Sequence, residues 1–211
     1  MGRYGQIEPL APTHQIDAFD CGSEAQSTWL RRHGLQARRS DTCKVYVVCR
    51  RDERAAAGCY ALTAGSVSHE AAPPRMLKGI GRYPVPVILL TRLGVDLAEQ
   101  GHGLGSALVQ DALRQAVAIS DRVGVRALLI RCESPTAADF YRGIDAGFEQ
   151  SPTDPLHLLL LMADLRAAVA LAAGLPPGRS GWPGFVATAL PKETGPCPRV
   201  PSSGPIEPDW R

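Results

Sequence analysis

The chain has 211 residues, 45% hydrophobic and 21% charged, which is enough for one sizeable soluble domain with a core of its own. A net charge of +2 excludes the global basic field of a bulk nucleic-acid binder, so any basic surface has to be local. The apolar run Leu158 to Met162 is too short to cross a bilayer, and the N-terminus has no apolar signal core. None of the six cysteines stands in Cys-x-x-Cys or zinc spacing, so no metal and a reduced, cytoplasmic setting are expected. Cys49, Cys59 and Cys132 lie in apolar runs and read as small core residues.

In chain order, residues 1–173 alternate strand and helix signals and predict one folded domain. Ile7 to Leu10 reads as a first short strand. Asp20 to Ser23 supplies capping residues before a helix over Ala25 to His33, with Trp29 and Leu30 on its apolar face. Val45 to Arg50 and Gly58 to Thr63 flank the charged turn Arg51 to Arg54 and predict a hairpin. Ser66 to Tyr83, with Pro73, Pro74, Gly79 and Gly81, is a loop, and Val85 to Val95 is a long apolar strand. Leu104, Leu108, Ala112, Gln115 and Ile119 recur at three or four residues, so Gly105 to Val117 is helical. Val125 to Cys132 is a buried strand. Ser134 as N-cap and Pro135 at the first position open a short helix over Ala137 to Ala146, and Leu156 to Met162 is a last strand. The order β-α-β-β-β-α-β-α-β predicts an α+β fold, an α/β sandwich with a mixed central sheet. Residues 174–211 carry nine prolines and many glycines, which forbid a helix or a central strand. They read as an extended tail, disordered when free, with Trp182, Phe185 and Trp210 available for docking.

Chemistry enters where the strand Leu89 to Val95 feeds the turn Gln100-Gly101-His102-Gly103-Leu104-Gly105 and a helix follows. A helix start presents unpaired N–H groups and the positive end of its dipole. Glycines let the backbone approach a ligand and adopt positive φ, so this arrangement makes a pyrophosphate cradle from main-chain donors. A dinucleotide fold wants Gly-x-Gly-x-x-Gly in its first βα unit, whereas here Gly-x-Gly-x-Gly lies in mid-chain. A P-loop wants Gly-Lys-Ser/Thr, which is absent.

The Gln-x-x-Gly-x-Gly pattern after a Leu-x-Val strand resembles the coenzyme A turn of GNAT acetyltransferases. Phe19-Asp20-Cys21-Gly22 with Trp29-Leu30, Pro84 to Leu90, Arg92 to Asp96, Ala138-Asp139-Phe140-Tyr141 and Gly147-Phe148 resemble, in the same order, the GNAT toxins of bacterial toxin–antitoxin pairs. The resemblance spans about residues 5–165. It implies acetyl-CoA as cofactor and acetylation of the amine of aminoacyl-tRNA, which stops translation. It also implies a ribbon-helix-helix antitoxin as partner and a homodimer. Leu93, Gly94 and Val95 match the strand that meets the acetyl and pantetheine part. Gln100, Gly101, His102, Gly103, Leu104, Gly105 and Ser106 match the pyrophosphate turn. Tyr141 matches the tyrosine that acts as general acid toward the leaving thiolate. This sequence departs at Gly94, where these toxins often carry alanine, and at Ser134, where many GNAT enzymes place asparagine.

Acetyl transfer needs a neutral amine, a donor for the developing oxyanion and a proton for the sulfur. A main-chain N–H near Val95 suits the oxyanion and Tyr141 suits the sulfur, the alternative for Tyr141 being a core aromatic. Glu133 either orients the amine or caps the next helix, and capping ranks first. Asp96 and Glu99 are open to a base role. His102 is expected to point to solvent and Cys21 to be structural. Arg31, Arg32, Arg38, Arg39, Arg75, Lys78, Arg92 and Arg142 are the candidates for meeting RNA phosphates, each cluster also reading as a solvated face. A small amine or a protein N-terminus remains the alternative acceptor, and a non-catalytic acetyl-CoA-binding module is the alternative to an enzyme.

Overall fold

The β-rich runs flanking Arg51 to Arg54 pair as expected. In the computed structural model, which describes residues 3–51, 53–144 and 146–174, β2 (Lys44–Arg50) and β3 (Ala56–Val67) form an antiparallel hairpin. β1 (Tyr4–Pro9) joins the outer side of β2, and β4 (Val85–Val95) pairs antiparallel with β3. β5 (Ala127–Arg131) is parallel to β4, β7 (His157–Leu161) is antiparallel to β5, and β6 (Glu149–Gln150) closes the far edge. The sheet order is β1-β2-β3-β4-β5-β7-β6. Its one parallel pair demands a crossover, which α3 (Leu104–Ser120) supplies. This is the α+β arrangement the sequence predicts.

The remaining helices follow from local signals. Ser23 caps α1 (Glu24–Trp29) by accepting from the Gln26 N–H. The helix runs on through a π turn, Leu30–Gly34, into α2 (Leu35–Arg39), so it is longer than the segment expected over Ala25 to His33. Ser134 caps α4 (Pro135–Arg142) as anticipated, with Pro135 at the start of the first turn. The short strand β6 and the final helix α5 (Met162–Gly174) carry no strong pattern and were not expected. The proline-rich segment from residue 175 lies outside the described residues.

The core divides between the two faces of the sheet. Leu104, Leu108, Val109, Ala112, Leu113 and Ala116 of α3 pack with Tyr60, Leu90, Ile130, Leu160 and Tyr141 on one face. On the other, Leu10, Phe19 and Leu30 cover Val45, Val47 and Cys59, while Met76 covers Val85, Val87 and Leu129. Burying such a side chain contributes about 1.5–3 kcal/mol. Val109, Leu113 and Ala116 occupy the buried stripe in place of Gln115, which is half-exposed.

Gly58 fixes how closely α3 approaches the sheet. A Cβ there would lie 2.8 Å from Leu108 Cδ1 and 3.3 Å from the Gly94 carbonyl oxygen. The start of α3 is thus held close to the end of β4. Gly58→Val should lower stability in urea by about 1–3 kcal/mol through overpacking, and an unchanged unfolding midpoint would contradict this contact.

Candidate active site

The site begins with one surplus residue. Leu62 pairs with Leu90 and Ala61 with Arg92, so Thr91 is a bulge in β4. The ladder to β5 ends at the Leu90–Ile130 pair, while that to β3 continues to Val95. Beyond Leu90 the edge of β4 that faced β5 has no strand partner among the described residues. The Asp96 N–H donates to the Ala57 carbonyl at 2.9 Å, which makes Val95–Gly58 a non-hydrogen-bonded pair. The N–H groups of Val95 and, two residues back, Leu93 therefore point into the opening.

A cleft of about 380 Å³ continues from this edge, lined by Leu93, Val95, Glu99, Gln100, Gly101, Gly103, Leu104, Gly105, Ser106 and Phe140. Gly101 and Gly103 both have φ of 77°, the left-handed region where side chains are strained. Gly103 caps α3 with no side-chain hydrogen bond, and the first turn of α3 carries no acid. A 17-residue helix thus aims its first N–H groups and its positive end at the cleft, with no side-chain cap among the described residues. That chemistry fits a pyrophosphate, and the free β4 edge fits the amide-bearing arm of an acyl-coenzyme A.

Two anchors hold the turn. Gln100 Nε2 donates to the carbonyls of Val95 at 3.0 Å and Cys21 at 3.1 Å. Glu99, 2% exposed, accepts from Arg50 Nε at 2.6 Å and the Tyr4 hydroxyl at 2.8 Å, and pairs with Arg3 Nε at 3.0 Å. The hydrogen bond from Arg50 is the main cause holding its carboxyl down at about 2. A carboxylate so held cannot serve as a base. Asp96 is also occupied, accepting from the N–H groups of Ala98 and Asp20. The base role left open for these two residues is thereby removed. The exposed His102 ring sits between Arg3 and the Glu99 carbonyl, outside the cleft lining. Gly94 is also outside it: a Cβ there would lie 3.1 Å from Cys21 Sγ and 3.4 Å from the Phe19 ring. Cys21 thus fills the space that a methyl group at position 94 would take. Its sulfur is 3.4 Å from Ser27 Oγ, a packing role as expected.

Tyr141 lines a narrower slot beside the cleft, with Gln26, Thr91, Leu93, Arg131 and Glu133. The ring is 7% exposed and lies edge-on to Phe140 and Phe148. Its hydroxyl has no hydrogen-bond partner among the described residues, and burial pushes its pKa well up, so it stays protonated. Glu133 is not a cap: Ser134 performs that task and the Glu133 carboxylate crosses to Ser23 at 3.0 Å. Gln26 and Arg131 line the slot without a signal in the sequence, while Phe140 of the matched stretch Ala138 to Tyr141 lines the cleft. Phe140 was legible only as an aromatic beside Tyr141.

The basic candidates separate. Arg31 pairs with Glu24, Arg38 donates to the Leu10 carbonyl, and Arg32 and Arg39 on the same helical run are exposed. Arg92 lies 5.3 Å over the Trp29 ring. Arg75 binds Asp164 and Glu149, and Arg142 binds Asp139 and Gln150, so both are engaged at the β6 edge. Lys78 is exposed on the loop before β4. A single groove lined by all eight is not formed. No group of three or more potential metal ligands and no helix long and apolar enough to cross a membrane occurs among the described residues.

No family model matches the sequence. A tRNA-acetylating toxin of Mycobacterium tuberculosis (strain ATCC 25618 / H37Rv) is 41% identical over 169 residues, covering 80% of this chain and 99% of the relative. The chain belongs to the tRNA-acetylating GNAT toxin family. The fold agrees: AtaT complexed with acetyl-methionyl-tRNAfMet superposes with a TM-score of 0.71 at 27% identity, over 78% of this chain and 98% of that one. AtaTR bound with AcCoA gives 0.69 at 27% identity, over 80% and 99%. In this GNAT toxin the Glu99 network adds a pH signature. Its folded pKa lies below the ordinary 4.5, so its stabilisation is complete above pH 4.5 and lost as pH falls through about 2. Glu99→Gln should cost about 1–3 kcal/mol at neutral pH, where the carboxylate hydrogen bonds are intact. It should also flatten the fall in stability between pH 4.5 and about 2, read by urea unfolding across that range. An equally steep fall in the variant would contradict this assignment.

Proposed function

We propose that the free edge of β4, the start of α3 and Tyr141 together transfer acetyl from acetyl-CoA to the amine of an aminoacyl group on tRNA, blocking translation. The observation that carries this reading is the Tyr141 hydroxyl, without a hydrogen-bond partner among the described residues, in the slot beside the cleft-facing N–H groups of Leu93 and Val95. Acetyl-CoA supplies the acetyl thioester. Gly101, Gly103, Leu104, Gly105 and Ser106 hold its pyrophosphate by main-chain donors, and the β4 edge holds its arm. The Val95 N–H stabilises the oxyanion that develops on the acetyl carbonyl. The amine nitrogen bonds to that carbon while the carbon–sulfur bond breaks. Tyr141 gives its proton to the sulfur, and the proton lost by the amine passes to solvent, from which the phenol is restored.

Arg31, Arg32, Arg38 and Arg39 along the α1–α2 run, with Arg92 beside α1, form the basic path we assign to the RNA, read by shape and phosphate. Lys78, Arg75 and Arg142 offer a secondary path, the two arginines at the cost of their carboxylate partners. The family resemblance supports the further assignments: a ribbon-helix-helix antitoxin as partner, a homodimer and a cytoplasmic site of action. The Glu133 carboxylate in the slot also suits a small cationic amine, so the assay includes one.

Purified protein with labelled acetyl-CoA should label charged tRNA and leave uncharged tRNA and spermidine unlabelled. Tyr141→Phe should lower the rate about 10²- to 10⁴-fold without altering acetyl-CoA binding. Label on spermidine alone, or an undiminished rate in the variant, would overturn the reading. Gly103→Ala, forced into the left-handed region at a cost of about 1–2 kcal/mol, should weaken acetyl-CoA binding while leaving Tyr141 chemistry intact at saturation, measured as a rise in KM with kcat retained.

A further inference from the structure

Acetyl transfer as described leaves one carboxylate of the slot unused. Glu133 follows β5, and both its oxygens accept from the Ser23 hydroxyl, at 3.0 and 3.1 Å. Gln26 Nε2 reaches it at 3.5 Å, while Gln26 Oε1 accepts from Arg92 Nη1 at 3.3 Å. The Gln26 amide is therefore held with its nitrogen toward the anion and its oxygen toward the cation. Ser23 and Gln26 are both neutral, and no ion pair to Glu133 occurs among the described residues. The negative charge is thus oriented but not neutralised, and it stands in the same slot as Tyr141. The cations of that slot, Arg92 on β4 and Arg131 at the end of β5, suit an anionic group.

This pattern of charge has a matching ligand. The aminoacyl end of a charged tRNA presents an amine at its tip and phosphates behind it. We propose that Glu133 is the acceptor-binding carboxylate: it takes hydrogen bonds from the incoming α-amine and so turns the nitrogen lone pair toward the thioester, while Arg92 and Arg131 meet the phosphate that follows. A carboxylate favours the protonated amine, which cannot attack. An amine next to an ester is weakly basic, so it sheds its extra proton near neutral pH even beside Glu133. The inference rests on the acetyl-transfer reading above and deepens it.

The test uses the full chain, labelled acetyl-CoA and a pool of total charged tRNA, with wild type and Glu133→Gln side by side. The amide keeps the shape and the hydrogen bond from Ser23 but removes the charge. The apparent KM for charged tRNA should rise about 10- to 100-fold, the loss of a charge-assisted hydrogen bond, while the KM for acetyl-CoA stays unchanged. Unchanged KM for charged tRNA would overturn the proposal. So would an equal rise in both KM values, because loosening α1 would also disturb the Cys21 carbonyl that Gln100 grips beside the cofactor turn. Thermal unfolding of both proteins separates these outcomes from misfolding, and Glu133→Asp, which keeps the charge, should recover part of the loss. A wild-type protein that leaves all charged tRNA unlabelled would sink the acetyl-transfer reading itself, and this inference with it.

Discussion

Beyond Leu90, strand β4 can keep its ladder to only one neighbour, and the extra residue at Thr91 decides for β3. A bulge bends a strand and sharpens its twist, so the bulged strand leaves β5 behind. The Thr91 hydroxyl donates to the Ala61 carbonyl at 3.2 Å and helps hold that bend. Unpaired backbone groups inside a protein are costly unless a ligand or water meets them. Here the open edge spans Leu93 and Val95 and runs straight to the uncapped start of α3. The same two defects, a broken ladder and an unsatisfied helix end, make a surface that can hold a long polar chain through main-chain contacts.

The surroundings of this opening are built to keep it open. Gly58 lets α3 lie close to the sheet, and Gly94 leaves room for Cys21 and Phe19 on the opposite face. Glu99 and Gln100 tie the turn to β1, β2 and the end of β4 by charge and hydrogen bonds. None of these four residues needs to touch a substrate. They hold the main chain where its donors converge, while Tyr141 and Glu133 bring chemistry from α4 and the end of β5.

The cofactor side of the site was legible because backbone chemistry leaves a local trace: glycines at fixed spacing, a strand before and a helix after. The strand over Val85 to Val95 and the cap at Ser134 were legible for the same reason. The bulge at Thr91 was not, because a surplus residue shows only against the register of a partner strand. The Glu99 network joins residues 95 positions apart at Tyr4, so its carboxylate looked free in sequence and proved locked. Glu133 was misjudged in its first-ranked role because a neighbouring serine did the capping. The arginines could be counted but not sorted, since the carboxylates that engage Arg75 and Arg142 come from β6, α4 and α5. Helix α5 carries an almost featureless run of alanines and leucines, which gives no periodic stripe to read.

The central claim is that acyl-coenzyme A is seated by main-chain donors on β4 and at the start of α3. Amide hydrogen exchange of the full chain, with and without acetyl-CoA, tests it most directly. New protection is expected at Leu93, at Val95 and across Gly101 to Ser106, with β1 to β2 unchanged. Protection confined to the α2–β2 region, with exchange at Leu93 and Val95 unaltered by the ligand, would contradict it.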